Sequence, residues 1–269
     1  MKTVKNNHKT LVLVNIAAFV VVLFVNFLSN ALPLNGRTAG EISDALPSYF
    51  TPAGYTFSIW GLIYTALLGF IVYQALPGQR NRRLLGKVGW LFVASSAFNV
   101  AWLFSWHYGV YALSILFMVA LLLTLIAIYL RLEIGRRHPE LSIADKVLVH
   151  FPFSLYLGWI TVATIANVAS VVAYWGLDGF GIAGPTWSAI MMLVATAVAG
   201  VLLFNRRNLA YAGVLLWALF GIRAAYPDIA LIANTAVLSA VLIALFALIG
   251  YVRTRRPQGS SSVSEIVAA

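Results

Sequence analysis

The segment Thr51–Gln74, TPAGYTFSIWGLIYTALLGFIVYQ, determines how the rest of the chain is organised. It opens with Pro52 and Gly54, which are typical of the end of a loop because proline lacks an N–H group and glycine tolerates unusual backbone angles. The apolar run that follows is long enough to cross a bilayer. The aromatic residues at its start either form an interfacial belt or line a pocket.

The composition of the whole chain predicts a multi-pass helical membrane protein. Of its 269 residues, 61% are hydrophobic and only 10% are charged, which is too little charge for the surface of a soluble domain. The sequence has no cysteine, which excludes disulfides, thiolate catalysis and cysteine-based metal sites. The net charge of +10 lies in short loops between apolar runs, so it indicates membrane topology and not nucleic-acid binding.

The apolar runs predict eight transmembrane helices. Their approximate bounds are 11–32, 56–76, 88–106, 110–130, 147–175, 185–204, 209–222 and 229–251. The first run follows three lysines, as a signal peptide would, but it is longer than the usual apolar core of about 7–15 residues, so we predict a retained helix. With a cytoplasmic N-terminus, all basic residues except Arg37 and Arg223 fall in cytoplasmic segments. This asymmetry predicts that both termini are cytoplasmic.

The polar residues inside the predicted spans are neutral. Proton pumps, voltage sensors and ion-coupled carriers keep ionisable groups at mid-membrane, so their absence from the sequence of these spans argues against those classes. A retinal protein is excluded because no lysine lies in a helix core. Asn99 and Asn167 each either bond to a neighbouring helix or turn toward a ligand, since an unpaired amide in hydrocarbon costs several kcal/mol.

One face of the third helix and one face of the fifth combine a carboxamide with aromatic side chains. The two stripes are Asn99, Trp102 and Trp106, and Tyr156, Trp159, Ala163 and Asn167. Residues three or four apart share a helix face. The stripes therefore could enclose a flat apolar ligand between them, or could simply pack.

The sequence offers little for catalysis. His107 lies in a predicted outer turn, where it is either a haem ligand or an ordinary interfacial histidine. No metal-ligand cluster, phosphate loop or nucleophile–base pair is recognisable in the sequence. We therefore assign no catalytic residue, no metal site and no required cofactor, and leave enzymatic activity uncertain.

Three segments make the sequence resemble the TspO/translocator protein family, also called tryptophan-rich sensory proteins or peripheral benzodiazepine receptors. The family motif P-P-G-W-V-F followed by V-W-x-x-L-Y corresponds to Pro52–Phe57 and Ile59–Tyr64, with alanine for the second proline and tyrosine for the first tryptophan. The N-x-x-W of the third helix corresponds to Asn99–Trp102. The Y-L-A-W of the fifth helix corresponds to Tyr156–Trp159, with glycine for the alanine.

The resemblance implies an all-α fold, a five-helix bundle with a ligand pocket under the loop after the first helix. It covers about residues 10–175. We therefore predict a TspO-like five-helix core at 1–175, a three-helix transmembrane extension at 176–252 and a disordered cytoplasmic tail at 253–269. The ligand-binding residues that the resemblance implies are Tyr55, Trp60, Asn99, Trp102, Tyr156, Trp159 and Ala163.

The function implied by the resemblance is a membrane binding protein or sensor for a porphyrin (tetrapyrrole) or another flat hydrophobic ligand. The alternatives are a passive transporter or facilitator of a small hydrophobic solute, and a light-dependent porphyrin-degrading enzyme. The expected partners are the lipid bilayer of a bacterial plasma membrane and a hydrophobic small molecule. A homodimer is one option, but the last three helices could occupy the surface that the family uses for it.

Overall fold

The computed structural model describes residues 2–32, 34–46, 48–79, 83–136, 138–177 and 181–253, and all regular structure within them is helical. Of the predicted tail 253–269, residues 254–269 lie outside the described residues, and Arg253 is the last residue of α11. The helices are α1 (Lys2–Ala31), α2 (Ala39–Ala45), α3 (Ile59–Ala75), α4 (Arg83–Val88), α5 (Trp90–His107), α6 (Tyr111–Arg131), α7 (Ile143–Asp145), α8 (Phe151–Tyr174), α9 (Gly184–Arg206), α10 (Leu209–Ala225) and α11 (Ala230–Arg253).

Six segments within the described ranges are long and apolar enough to cross a membrane. They are Lys9–Ala31, Gly54–Ala75, Tyr111–Arg131, Ile143–Tyr174, Gly184–Arg206 and Ala230–Gly250. A seventh segment, Leu209–Ala225, is apolar but shorter. The predicted fold class, a multi-pass helical membrane protein, is thereby confirmed.

Helix α8 lies at the centre of the bundle. It packs against α3 and α6, which precede it in the chain, and against α10 and α9, which follow it. Gly158 of α8 faces α10 so closely that an added Cβ would lie 3.0 Å from Cβ of Val214. Small residues of this kind let membrane helices approach each other. The glycine that replaces the alanine of the family motif is therefore explained by the presence of α10.

Two local features differ from the sequence prediction. The third predicted helix, 88–106, is interrupted because Gly89 adopts a positive φ of 49°, so that α4 ends at Val88 and α5 begins at Trp90. The long loop after α1 contains the short helix α2. Thr38 and Glu41 form a capping box at its start, in which Thr38 Oγ1 accepts from Glu41 N and Glu41 Oε2 accepts from Thr38 N.

Candidate functional site

A small cavity lies between α3, α5 and α8 beneath the loop that joins α1 to α3. We call it the tryptophan cavity. Its walls include four tryptophans, Trp60, Trp102, Trp106 and Trp159, and its remaining lining residues come from α8 and from the loop (Val162, Ala163, Ala166, Asn167, Ala39, Ser43, Pro52 and Phe57). Its volume is about 40 Å³, which holds a few water molecules at most. The cavity is therefore too small for a larger ligand in this structure.

Four of the residues predicted to bind a ligand line this cavity: Trp60, Trp102, Trp159 and Ala163. The rings of Trp60 and Trp159 are 6.1 Å apart at 83°, an edge-to-face arrangement. Phe57 of the loop packs edge-on against the same Trp159 at 5.9 Å. Aromatic pairs prefer this geometry, so these aromatic walls of the cavity are well packed.

Asn99 and Tyr156 do not line the cavity but join three helices next to it. Asn99 Oδ1 accepts a hydrogen bond of 2.9 Å from Asn26 Nδ2 on α1, and Asn99 Nδ2 donates one of 3.1 Å to the Tyr156 hydroxyl on α8. Asn99 is fully buried. Of the two interpretations of this amide, the structure shows the interhelical bonds. Asn26 has no distinguishing pattern in the sequence and was not predicted.

Asn167 also forms a hydrogen bond to a neighbouring helix. Its Nδ2 atom donates to Ser114 Oγ of α6 over 3.1 Å, although its side chain borders the tryptophan cavity.

Tyr55, by contrast, lies away from the cavity. Its side chain is 50% exposed, and its ring packs edge-on against Trp217 of α10 with centroids 5.5 Å apart.

Two of the wall tryptophans carry unused hydrogen-bond donors. The Nε1 atoms of Trp102 and Trp159 are buried and have no hydrogen-bond partner among the described residues. In contrast, Trp106 Nε1 donates to the carbonyl oxygen of Ala39 in the loop over 3.2 Å. A buried donor without a partner costs about 1–3 kcal/mol, so the walls have a capacity to bind an acceptor atom.

The loop carries two carboxyl groups near the cavity, with opposite pKa shifts. Hydrogen bonds from the Thr38 backbone and hydroxyl hold the pKa of Glu41 below its usual value, because they favour the charged form. Partial burial, with a smaller contribution from the charge of Glu41, raises the pKa of Asp44. The Thr38–Glu41 cap of α2 therefore stabilises the fold above the ordinary pKa of glutamate and is lost on acidification.

The chain matches the model of the TSPO-like protein family over residues 12–249. It belongs to that family. Comparisons with curated proteins and with solved structures returned no match. The match extends beyond the segment of about residues 10–175 that carries the sequence resemblance, and takes in α9, α10 and nearly all of α11.

In this TSPO-like protein the C-terminal helices hold the loop over the cavity. Trp217 Nε1 of α10 donates to the carbonyl oxygen of Thr56 over 2.9 Å, and Ala53 N donates to the carbonyl oxygen of Gly221 over 3.0 Å. Two more bonds reach the start of the same segment. They run from the Tyr226 hydroxyl to Ser48 O (2.5 Å) and from Ser188 Oγ to Tyr49 O (2.6 Å).

These four bonds, which we call the loop clamp, connect residues more than a hundred positions apart in the chain. No local pattern in the sequence could have revealed them. They assign a role to α9 and α10 that sequence reasoning left open, namely to position the segment that carries Pro52 and Phe57 over the tryptophan cavity.

Proposed function

We propose that this TSPO-like membrane protein binds a porphyrin or another flat hydrophobic ligand in the tryptophan cavity and acts as a sensor or receptor for it. The observation that carries the proposal is the pair of buried, unpaired indole N–H groups of Trp102 and Trp159 in an aromatic wall. Flat aromatic walls favour a planar ligand, and the two donors suit a ligand with acceptor atoms such as carboxylate oxygens.

Ligand binding requires the loop to move. Pockets for small molecules usually measure about 300–1,000 Å³, whereas the tryptophan cavity measures about 40 Å³. The loop is the movable wall in this proposal, because the other walls of the tryptophan cavity belong to the long helices α3, α5 and α8. Closure after binding would exclude water from the ligand.

The proposed topology has eight spans with both termini in the cytoplasm of a bacterial cell. Helix α5 has 18 residues, about 27 Å at 1.5 Å per residue, and it is joined to the apolar α6 by the short turn Tyr108–Val110. It packs along α6 and α1, so it runs back through the same layer. Helix α10 packs between α8 and α11 in the same way. The distribution of basic residues supports the orientation.

The proposal is tested by titrating the full-length protein in lipid nanodiscs with protoporphyrin IX and following the porphyrin absorbance. Replacing Trp159 with phenylalanine keeps an aromatic wall and removes the N–H donor. Loss of one hydrogen bond of about 0.5–1.5 kcal/mol should raise the Kd about two- to thirteenfold. Trp175→Phe is the matched control, because Trp175 ends the same helix and is 49% exposed. Absence of saturable binding by the wild-type protein would refute the proposal.

Tyr55→Ala provides a second measurement in the same titration. Since the Tyr55 ring lies on Trp217 and not in the cavity, we expect the porphyrin Kd to change by less than about twofold, the effect of an exposed substitution. A loss comparable to that of Trp159→Phe would show that Tyr55 reaches the ligand when the loop opens, as the sequence resemblance implies.

A further inference from the structure

A second and larger cavity lies on the other side of α8. We call it the side cavity. Its volume is about 570 Å³, and it lies between the last turns of α8, the first turns of α9 and the loop residues Ser48, Tyr49 and Phe50. Its apolar lining includes Ile165, Val168, Val172, Trp187 and Met191. On α8 these positions alternate with those of the tryptophan cavity, so the two cavities occupy different faces of one helix.

Two of the four hydroxyl groups on the described lining of the side cavity donate to backbone carbonyl oxygens. Ser188 Oγ donates to Tyr49 O over 2.6 Å, and Thr164 Oγ1 donates to Ile160 O over 2.6 Å. Ser48 Oγ accepts from Phe50 N over 3.2 Å. An occupant would therefore gain mainly apolar burial and contacts, because the hydroxyl groups of Ser188 and Thr164 are already used. In this respect the side cavity differs from the tryptophan cavity with its free indole donors.

The side cavity opens on the surface that the bilayer covers. Val168 and Leu177 line it and are also 36% and 58% exposed. Both flanking helices belong to candidate membrane spans, Ile143–Tyr174 and Gly184–Arg206. The cavity thus adjoins hydrocarbon, and its volume is in the range of about 300–1,000 Å³ that is usual for small-molecule pockets. The apolar molecule that surrounds this opening in the cell is membrane lipid.

We propose that the side cavity binds one acyl chain of a membrane phospholipid. The chain would be selected by its apolar character and its fit between α8 and α9, with no recognition of the headgroup. It would also brace the loop, because Tyr49 and Phe50 line the side cavity while Pro52 and Phe57, further along the same segment, line the tryptophan cavity. The two cavities share no lining residue, so acyl-chain binding can be tested without porphyrin.

Filling the side cavity with a tryptophan tests the proposal. Ala169 lines it on α8, so Ala169→Trp should occupy the space of the acyl chain. Ala197→Trp is the matched control, since Ala197 is exposed on α9 and lines neither cavity. The full-length protein is stripped with detergent and incubated with dioleoylphosphatidylglycerol, and retained lipid is counted by native mass spectrometry.

We expect the wild-type protein and Ala197→Trp to retain one phospholipid, and occupancy in Ala169→Trp to fall at least about tenfold, the effect of losing roughly 1.4 kcal/mol of binding free energy. Equal retention in all three proteins overturns the proposal. Met191→Trp fills the same cavity from α9 and supplies the same comparison should Ala169→Trp fail to fold. Dioleoylphosphatidylethanolamine should be retained equally well, and retention that depends on the headgroup contradicts an acyl-chain site. None of these readouts involves porphyrin binding.

Discussion

Replacing Gly221 with alanine is expected to displace the loop from the tryptophan cavity and to lower the free energy of unfolding by about 1–3 kcal/mol. An added Cβ would lie 2.9 Å from Thr56 Cγ2 and 3.0 Å from Pro52 Cβ, and it would collide with Thr56 Oγ1. Thr56 is fully buried and cannot swing aside. The loop must therefore retreat, which also weakens the bond from Ala53 N to Gly221 O.

Gly213→Ala is the matched control for this substitution. Gly213 lies on the same helix, but an added Cβ there would meet nothing within 4 Å. Because alanine favours the helix over glycine by about 1 kcal/mol, Gly213→Ala should leave stability unchanged or raise it. Thermal unfolding followed by circular dichroism in nanodiscs compares the two. Equal behaviour of both variants would show that the contact between α10 and the loop does not constrain the loop.

Displacement of the loop can be measured separately from stability. The sequence has no cysteine, so a single Ser43→Cys substitution in the cavity lining gives one reactive thiol. Ser43 lies on α2 within the loop, and its side chain is buried. We expect a maleimide to label this thiol at least about tenfold faster when Gly221→Ala is added. A change of about 1.4 kcal/mol in the free energy that holds the loop in place raises the fraction of molecules with a displaced loop by that factor. Labelling at the same rate with and without Gly221→Ala would contradict the displacement.

The sequence predicts the helices well because the features that define them are local. The run predicted at 110–130 is observed as Tyr111–Arg131, and the run at 209–222 is observed as Leu209–Ala225. A long apolar stretch between polar loops decides such a helix wherever it packs. Helix α2 was missed, although the spacing of Thr38 and Glu41 matches a capping box and was readable in the sequence.

The arrangement of the candidate site is less accessible to sequence reasoning. The stripes on α5 and α8 place Trp102 and Trp159 on a common cavity, as their helical spacing predicts. The same spacing cannot distinguish a residue that lines the cavity from one that bonds to neighbouring helices beside it, as Asn99 does. The hydrogen-bond partner Asn26 comes from a distant part of the chain. The loop clamp likewise depends on pairs such as Trp217 and Thr56 that only the tertiary fold brings together.

Asn99 provides the second large expected effect, a loss of stability with little loss of binding. Leucine has the same branched skeleton as asparagine but makes no hydrogen bonds, so Asn99→Leu removes the links from α5 to Asn26 and to Tyr156. Tyr156 is buried and loses the partner of its hydroxyl. Two interhelical bonds in a membrane protein contribute about 1–3 kcal/mol together, and an unfolding titration with sodium dodecyl sulfate should report a loss of that size.

A double-mutant cycle with Tyr156→Phe separates this structural role from ligand contact. The two substitutions should couple by about 0.5–1.5 kcal/mol in stability, because they remove the two ends of one hydrogen bond. Porphyrin affinity should change by less than about threefold in Asn99→Leu, since Asn99 does not line the cavity and acts only through the packing of its neighbours. A tenfold loss of affinity with unchanged stability would instead place the amide against the ligand. In that case the network of Asn26, Asn99 and Tyr156 would have to rearrange when the loop opens.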